Sequence, residues 1–552
     1  MTSCAIDIET DGFNPSKIHV LCVKEMDEGV ATLGTIHQFT RPAGAEEFLH
    51  SFDKVIAHNG CGFDFPILKE LWDVEVAEWK QQDTLVLSRM EQPDRKGGHS
   101  LKAWGERLEY EKSDYKGGWN SLNDDMIKYC QNDAVITAKL YDHLRPQVAR
   151  IGEQPVLEEY RMQRLAYSVE KYGFAFDLEA AYKLFSKLLK RQKEIVLEMQ
   201  DVFPASIIQL KTKQKIVPFN PGSRKQIAER LKEKGWVAKE FTPTGQPRVD
   251  EHTLKGTNIP EAKILAEYFM LQKRTGLLDS WIKKSDGDRV HCNYHTLGAI
   301  THRMSCSGPN LQQIPSMRTP YGEECRKLWI ADKGNVLVGA DAKSLELRVL
   351  AHYMNDTIFN NEILEGDIHS ANQKRAGLPT RDMAKTFIFA LIYGAGDGKL
   401  GSVVGGSPTD GKDLRRRFLS NLPSFARLSK GVIKKGTDRG FVLGIDQRPL
   451  RVRHNHASLN TLIQGSSAIL MKHWFTIIEH SMGMEETLGL WEKKAGIVAM
   501  VHDEVVIEAP EKEVDLVSEC VKLGIQSVNR HFNLRCPLDC DVISGNNWSE
   551  IH

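Results

Sequence analysis

Carboxylates set inside apolar, strand-forming runs constrain this chain more than anything else in its sequence. In Ala5-Ile6-Asp7-Ile8-Glu9 the alternation of a strand sends Ile6 and Ile8 to one face and Asp7 and Glu9, side by side, to the other. Val336-Leu337-Val338-Gly339-Ala340-Asp341 reads as a buried strand ending in an acid, with the helical Ser344-Leu345-Glu346-Leu347-Arg348 behind it. Residues 497–507 read as two β runs with His502-Asp503-Glu504 at their junction. Neighbouring anions repel, and acids enclosed by apolar strands are costly unless a cation joins them. The acids fall in two distant parts of a 552-residue chain, too long for one ordinary core, so two or more domains are expected.

Lys+Arg and Asp+Glu balance at 73 each, but not by region. Residues 1–150 carry 17 basic against 25 acidic side chains, leaving 56 against 48 for the rest, which suits a larger part that grips a polyanion. The ten cysteines form no C-x₂-C pair, and Cys536 and Cys540 have no histidine pair to complete a zinc site, so reduced thiols are expected. No window approaches the apolar length of a membrane span, and two acids lie within the first ten residues; a soluble intracellular protein is expected.

Short apolar runs at 3–8, 18–23 and 54–57 alternate with helical stretches near 66–72 and 122–144, which predicts an α/β domain with a boundary near 150. Helical patterns follow at 155–200, 223–234 and 261–284, then the motif-bearing strands and a helix at 381–393, so the remainder is α+β. In the first domain Asp64 follows the 54–57 run, and Tyr129 and Asp133 share one helical face. Four acids with hard oxygen ligands suit two Mg²⁺ or Mn²⁺ ions. In the 381–393 helix Arg381, Lys385, Phe389 and Tyr393 recur at steps of four, within an arc of roughly 120°. Two cations followed by two rings fit a triphosphate at one end and a sugar and base at the other. A basic face with core aromatics is the plainer alternative, and periodicity does not separate the two.

The N-terminal set resembles the three motifs of the DnaQ-like 3′→5′ exonucleases, an RNase H-like fold. By that resemblance Asp7, Glu9, Asp64 and Asp133 bind metal and Tyr129 orients the attacking water. Asp83-Thr84-Leu85 and His99-Ser100-Leu101 belong to the same likeness without assigned chemistry. The later segments resemble motifs A, B and C of family A DNA polymerases, relatives of bacterial DNA polymerase I and of the replicative polymerases of short-tailed phages. Thr301-His302-Arg303-Met304, residues 307–315, Gly366-Asp367-Ile368-His369 and residues 460–465 extend the likeness over nearly the whole chain.

What the resemblance implies is template-directed DNA synthesis with proofreading, in an exonuclease domain (1–150) followed by a right-hand polymerase (151–552). The thumb is expected at about 186–290, the fingers at about 356–440, and the palm in the remaining segments. Asp341 and Asp503 hold two Mg²⁺, with the Ala342 carbonyl as a further ligand. Arg381, Lys385 and His369 grip the phosphates, and Lys385 protonates pyrophosphate. Tyr393 stacks near the nascent pair, Phe389 faces the sugar, and Glu346 closes the space beside C2′. Arg303, Asn460, Gln464 and His502 follow the primer-terminal pair in the minor groove. Asn220, Ser223 and Arg224 touch duplex phosphates ahead of a helix.

Primer-template DNA and dNTPs are the implied partners, a replicative helicase is a further one, and the setting is the cytoplasm of a bacterial host. Lys343 departs from the family, placing a cation beside Asp341 where relatives carry a small polar residue. The stretch between Phe176-Asp177 and Phe219-Asn220 lacks a long basic insertion, so a thioredoxin-type processivity partner is not supported, and the chain leaves no room for a 5′ nuclease. The alternative, a nuclease-only nucleic-acid-binding protein with an inactive polymerase fold, is opposed by the intact Asp341, Lys385 and Asp503; a single-subunit RNA polymerase is opposed by Glu346.

Overall fold

The structure, a computed structural model, describes residues 2–26, 30–31, 34–209, 214–483 and 495–552. Two compact units divide the chain: Met1–Tyr172 with Cys292–Gln312 and Gly334–Ser544, and Gly173–His291 with Gln313–Lys333 and Gly545–His552.

The larger unit holds two sheets. In the first, β1 (Ser3–Thr10), β2 (Ile18–Met26), β3 (Ile36–Phe39), β4 (Lys54–Ala57) and β5 (Gln81–Asp83) lie in the order β3-β2-β1-β4-β5. β2 is antiparallel to β1 and β3, whereas β1, β4 and β5 run parallel. The helical segments α1 (Asp64–Trp72), α2 (Thr84–Glu91), α3 (Leu101–Arg107) and α4 (Asp124–Ile151) follow. Side chains of β1 are buried on both faces, so the acidic face inferred from alternation is not a solvated one. Cys22 and Val20, the cross-strand partners of Asp7 and Glu9, pack with Cys130 and Ala134 of α4. These small residues let the helix that carries Tyr129 and Asp133 settle over the acids.

Helix α4 ends at Ile151, Gly152 takes φ 96°, and α5 (Glu153–Tyr172) starts at once within the same unit. The break near 150 is therefore a joint between two helices.

The second sheet consists of β6 (Asn335–Ala342), β7 (Gly496–Val501), β8 (Glu504–Pro510) and β9 (Cys540–Gly545), in the order β7-β8-β6-β9. β7 and β8 form a hairpin closed by His502-Asp503, with His502 at φ 53°, the left-handed first position that a primed hairpin turn requires. β8 also pairs antiparallel with β6, setting Asp341 opposite Glu504. The helices of this part used below are α6 (Leu345–Met354), α7 (Ile368–Ala376), α8 (Arg381–Ile392) and α9 (Ser458–Gly483).

In the smaller unit the helices Leu178–Val202 and Pro260–Lys284 pack together, and Phe174, Phe176, Trp281, Trp329 and Trp548 form one aromatic core. The Phe176 and Trp329 ring centroids are 4.9 Å apart, so residues distant in sequence are joined by burial of large apolar rings. All ten cysteines are free and buried.

Two candidate active sites

At the first sheet, ligand atoms of Asp7, Glu9 and Cys130 lie within 4.8 Å of one another. The Cys130 thiol donates to the Asp7 carbonyl (3.2 Å), and burial drives its pKa far up, so the thiol stays protonated and the oxygens are the available donors. Asp64 opens α1, and its placement comes from Asp83. That carboxylate caps α2 through the Leu85 and Val86 amides and accepts from the Asn59 and Cys61 amides (3.0 and 3.1 Å), pinning the turn before Asp64. His58, bonded to Thr84 Oγ1 (2.9 Å), and His99, bonded to Ser88 Oγ (2.7 Å), secure the same region. The likeness at 83–85 and 99–101 is thus scaffolding.

Burial, then mutual repulsion, raises the acids: Asp7 well above the carboxylate range, Glu9 to about 8 and Asp64 to about 7. Asp133 is raised by burial even though Lys112 binds it. The Lys112 ammonium contacts Asp133 and stands 4.5 Å from the Tyr129 ring centroid. No sequence motif pointed to Lys112.

At the second sheet, the register places Asp341 beside the hairpin turn, and the Ala342 amide donates to the Asp503 carbonyl (2.9 Å). Asp341 is exposed, whereas Asp503 is largely enclosed and burial raises its pKa. Lys343 turns away: its ammonium pairs with Asp539 (3.0 Å) and Asp541 (2.8 Å). Ser344, at φ 50°, bends the chain into α6, and Glu346 in the first turn reaches two partners. It accepts from the Tyr393 hydroxyl (2.8 Å) and from Arg303 (2.5 Å). Burial and this carboxylate push the Tyr393 phenol to about 12. Beneath them a cavity of about 290 Å³ is lined by Arg303, Glu346, Phe389, Tyr393, His502 and Asp503, among others.

Helix α8 turns Arg381 and Lys385 outward and leaves Phe389 half-buried, and Tyr393 at its C-cap is exposed, while Ala384, Phe387, Ile388 and Leu391 pack inward, so the two rings are not core aromatics. The helix ends at Ile392, one residue sooner than the periodicity suggests. Gly394 (φ 74°) follows the Tyr393 cap where any Cβ would stand 2.4 Å from the His456 carbonyl. Arg381 grips Asp367 with two bonds (2.7 and 3.1 Å), and Asp367 caps α7, which carries His369. His369 is buried with its Nδ1 unpartnered among the described residues. On α9, Asn460 and Gln464 are half-buried. In the smaller unit Ser223 caps the helix Arg224–Glu233, Asn220 folds back on the Gly222 amide (2.8 Å), and Arg224 donates to the Val249 carbonyl (3.1 Å).

Sequence reasoning also missed a buried ion network. Glu159 of α5 accepts from Lys472 of α9 (2.8 Å to each oxygen) and from Arg448, which also binds Asp446 (2.6 Å). Burial lowers Lys472 to about 8. Removing one partner of such a network costs about 3–5 kcal/mol, because a buried charge is left alone.

A mixed sheet with a carboxylate cluster, and a second sheet that sets Asp341 beside the hairpin whose Asp503 lines a pocket, give the chain two acidic centres. The match to known proteins is specific. Residues 1–149 fit the 3′–5′ exonuclease family model and residues 186–550 that of DNA polymerase family A. The chain is 30% identical to the DNA-directed DNA polymerases of Enterobacteria phage T3 and Escherichia phage T7, over 90% of this chain and 92% of each relative. It is 25% identical to DNA polymerase I of Aquifex aeolicus over 90% of this chain and 88% of the relative. The POL domain of Pol1 from M. smegmatis, solved in complex with DNA primer-template and dNTP, shares the fold at a TM-score of 0.84 and 20% identity, covering 100% of this chain and 96% of that one. The chain belongs to DNA polymerase family A: it is a DNA-directed DNA polymerase with a 3′–5′ exonuclease domain, dependent on divalent metal as its family is. Among the described residues no helix is long and apolar enough to cross a membrane.

Proposed function

We propose that the two acidic centres are separate metal-dependent active sites that serve one primer-template. Residues 1–150 form the exonuclease domain and 151–552 the polymerase, with the thumb at about 186–290, the fingers at about 356–440 and the palm from the remainder. The observation that supports this reading is the β6–β8 register, which sets Asp341 opposite Glu504, next in sequence to the Asp503 that lines a cavity with Glu346, Phe389 and Tyr393.

Both donor sets are hard oxygens, which fit Mg²⁺, with Mn²⁺ as a substitute. Asp341, Asp503 and the Ala342 carbonyl hold the polymerase pair, and Asp7, Glu9, Asp64 and Asp133 the exonuclease pair. Bound there, such ions would acidify the attacking hydroxyl or water and neutralise the leaving oxygen. Arg381, Lys385 and His369 hold the triphosphate, with Arg381 exchanging Asp367 for phosphate. Lys385, which has no ion pair among the described residues, protonates the departing pyrophosphate. Glu346, held by Tyr393 and Arg303, fills the space a 2′-hydroxyl needs. Tyr393 stacks beside the nascent pair, and Phe389 lies against the sugar. Arg303, Asn460, Gln464 and His502 follow the minor groove of the primer end. Asn220, Ser223 and Arg224 hold duplex phosphates. In the exonuclease, Tyr129 orients the attacking water.

The substrates are primer-template DNA and dNTPs, a replicative helicase is a further partner, a thioredoxin-type factor is not supported, and the setting is a bacterial cytoplasm. Primer extension from a mismatched 3′ end, with each dNTP withheld in turn, tests the reading. The terminus should be excised first and extension should stop at the first template base lacking its complement. Extension that ignores the template would overturn it.

A further inference from the structure

Lys112 lies on an irregular segment between α3 and α4, yet its backbone is anchored from two sides. The Asn132 side chain, next to Asp133 on α4, accepts from the Ser113 amide (3.0 Å) and donates to the Glu111 carbonyl (3.4 Å), clamping the residues on either side of Lys112. Gly105 of α3 lets the same segment lie close, since a Cβ there would stand 2.7 Å from the Tyr110 carbonyl and 3.2 Å from the Lys112 amide. The Lys112 side chain is 19% exposed and Asp133 5%. Its ammonium rests on Asp133 and on the face of Tyr129, an attractive site for a cation. Two independent anchors thus deliver one positive charge into a cluster of four carboxylates.

We propose that Lys112 is a resident cation of the exonuclease centre, which partly neutralises the carboxylates in the metal-free enzyme and competes with divalent ions for Asp133. The inference rests on the exonuclease reading above. The ammonium holds Oδ2 of Asp133 and leaves Oδ1 without a partner among the described residues, so an ion can be ligated there by one oxygen only unless Lys112 withdraws. Its backbone stays clamped by Asn132, and the displaced ammonium remains beside Tyr129, where the anionic backbone of a bound 3′ end is its next partner. Lys112 is accordingly a positioning residue that sets how much divalent ion the exonuclease needs, whereas Lys343 turns its charge to Asp539 and Asp541.

The test is Mn²⁺ binding, followed by electron paramagnetic resonance, in the full chain carrying Asp341→Asn and Asp503→Asn so that only the exonuclease centre loads. Lys112→Met keeps the length and removes the charge. It should bind Mn²⁺ about tenfold more tightly, within the range that outer-shell changes produce, while Lys112→Arg should stay within about twofold of the parent. Asn132→Ala, which loosens the clamp and spares every charge, should also tighten binding and keeps the idea testable if Lys112→Met fails to fold. Unchanged or weaker Mn²⁺ binding in a folded Lys112→Met or in Asn132→Ala would overturn the inference. Asp7→Ala with Glu9→Ala in the same background separates it from the underlying reading: Mn²⁺ binding that survives this change refutes the exonuclease site itself.

Discussion

At the N-terminal acidic centre Lys112 reaches inward and lies on Asp133; at the other, Lys343, two residues from Asp341, reaches outward to Asp539 and Asp541. In sequence Lys343 is the lysine beside the acids and Lys112 is some way from any of them. The reversal follows from how each backbone is held. Lys343 follows the strand end, and its own amide donates to the Asp539 carbonyl (2.9 Å), which directs it toward two acids of the neighbouring segment. Lys112 is delivered by a loop clamped onto a helix. The charge beside each acidic centre is therefore set by which backbone anchors the side chain.

If the centres are as separate as this comparison holds, Asp7→Ala with Glu9→Ala should lower excision of a mismatched terminus by at least about a thousandfold, the scale on which removing a catalytic unit acts. Correctly paired primers should still be extended at the parental rate. Excision that survives in the purified double variant would mean that the nuclease lies elsewhere.

A smaller effect sharpens the polymerase side. Phe389 lies one helical turn beyond Lys385 and has no hydroxyl, so nothing replaces the hydrogen bond a dideoxynucleotide has lost. Phe389→Tyr should raise dideoxynucleotide use by about ten- to a hundredfold, the worth of a hydrogen bond to a charged group, about 1.5–3 kcal/mol. Competition between a dNTP and its dideoxy analogue in the excision-deficient background measures it. An unchanged ratio would remove Phe389 from the sugar.

The acids' own titration separates the centres further. Glu9 and Asp64 are raised to about 8 and about 7 in the folded, metal-free state, against roughly 4 when unfolded. Between those limits the folded form binds more protons, so metal-free stability falls as pH rises from about 4 to 8. For the same reason ion binding must expel protons. Calorimetry at pH 7 in two buffers of different ionisation heat should show roughly one proton or more released per exonuclease centre loaded. Proton-neutral binding would contradict the raised values.

The smallest expected change is at Lys343. Its charge is spent on two partly exposed acids, a pairing worth about 0–1 kcal/mol, so Lys343→Ala should alter extension and its Mg²⁺ requirement by less than about twofold. A large shift in the Mg²⁺ requirement would mean that Lys343 does reach Asp341.

Most of both candidate sites was legible because the residues proposed to ligate metal or hold phosphate and nucleotide sit at fixed offsets inside periodic elements: Asp7 and Glu9 on a strand, Tyr129 and Asp133 on a helix face, and Arg381, Lys385, Phe389 and Tyr393 along another. The partners of these residues were not legible. Lys112 on Asp133, Asp367 on Arg381, and Lys472 on Glu159 join segments whose contact no local period encodes. The helix end at Ile392 was misjudged because the close approach of Gly394 to His456 is tertiary. The break near 150 was visible, but not that one compact unit spans it, since the Glu159–Lys472 pair ties the helix after the break to one far along the chain.

The most direct test of two independent centres is Asp503→Asn, assayed on one preparation for primer extension and for 3′→5′ degradation of single-stranded DNA. The account predicts that extension disappears and degradation continues at the parental rate. Parallel loss of both activities in a folded variant would contradict it.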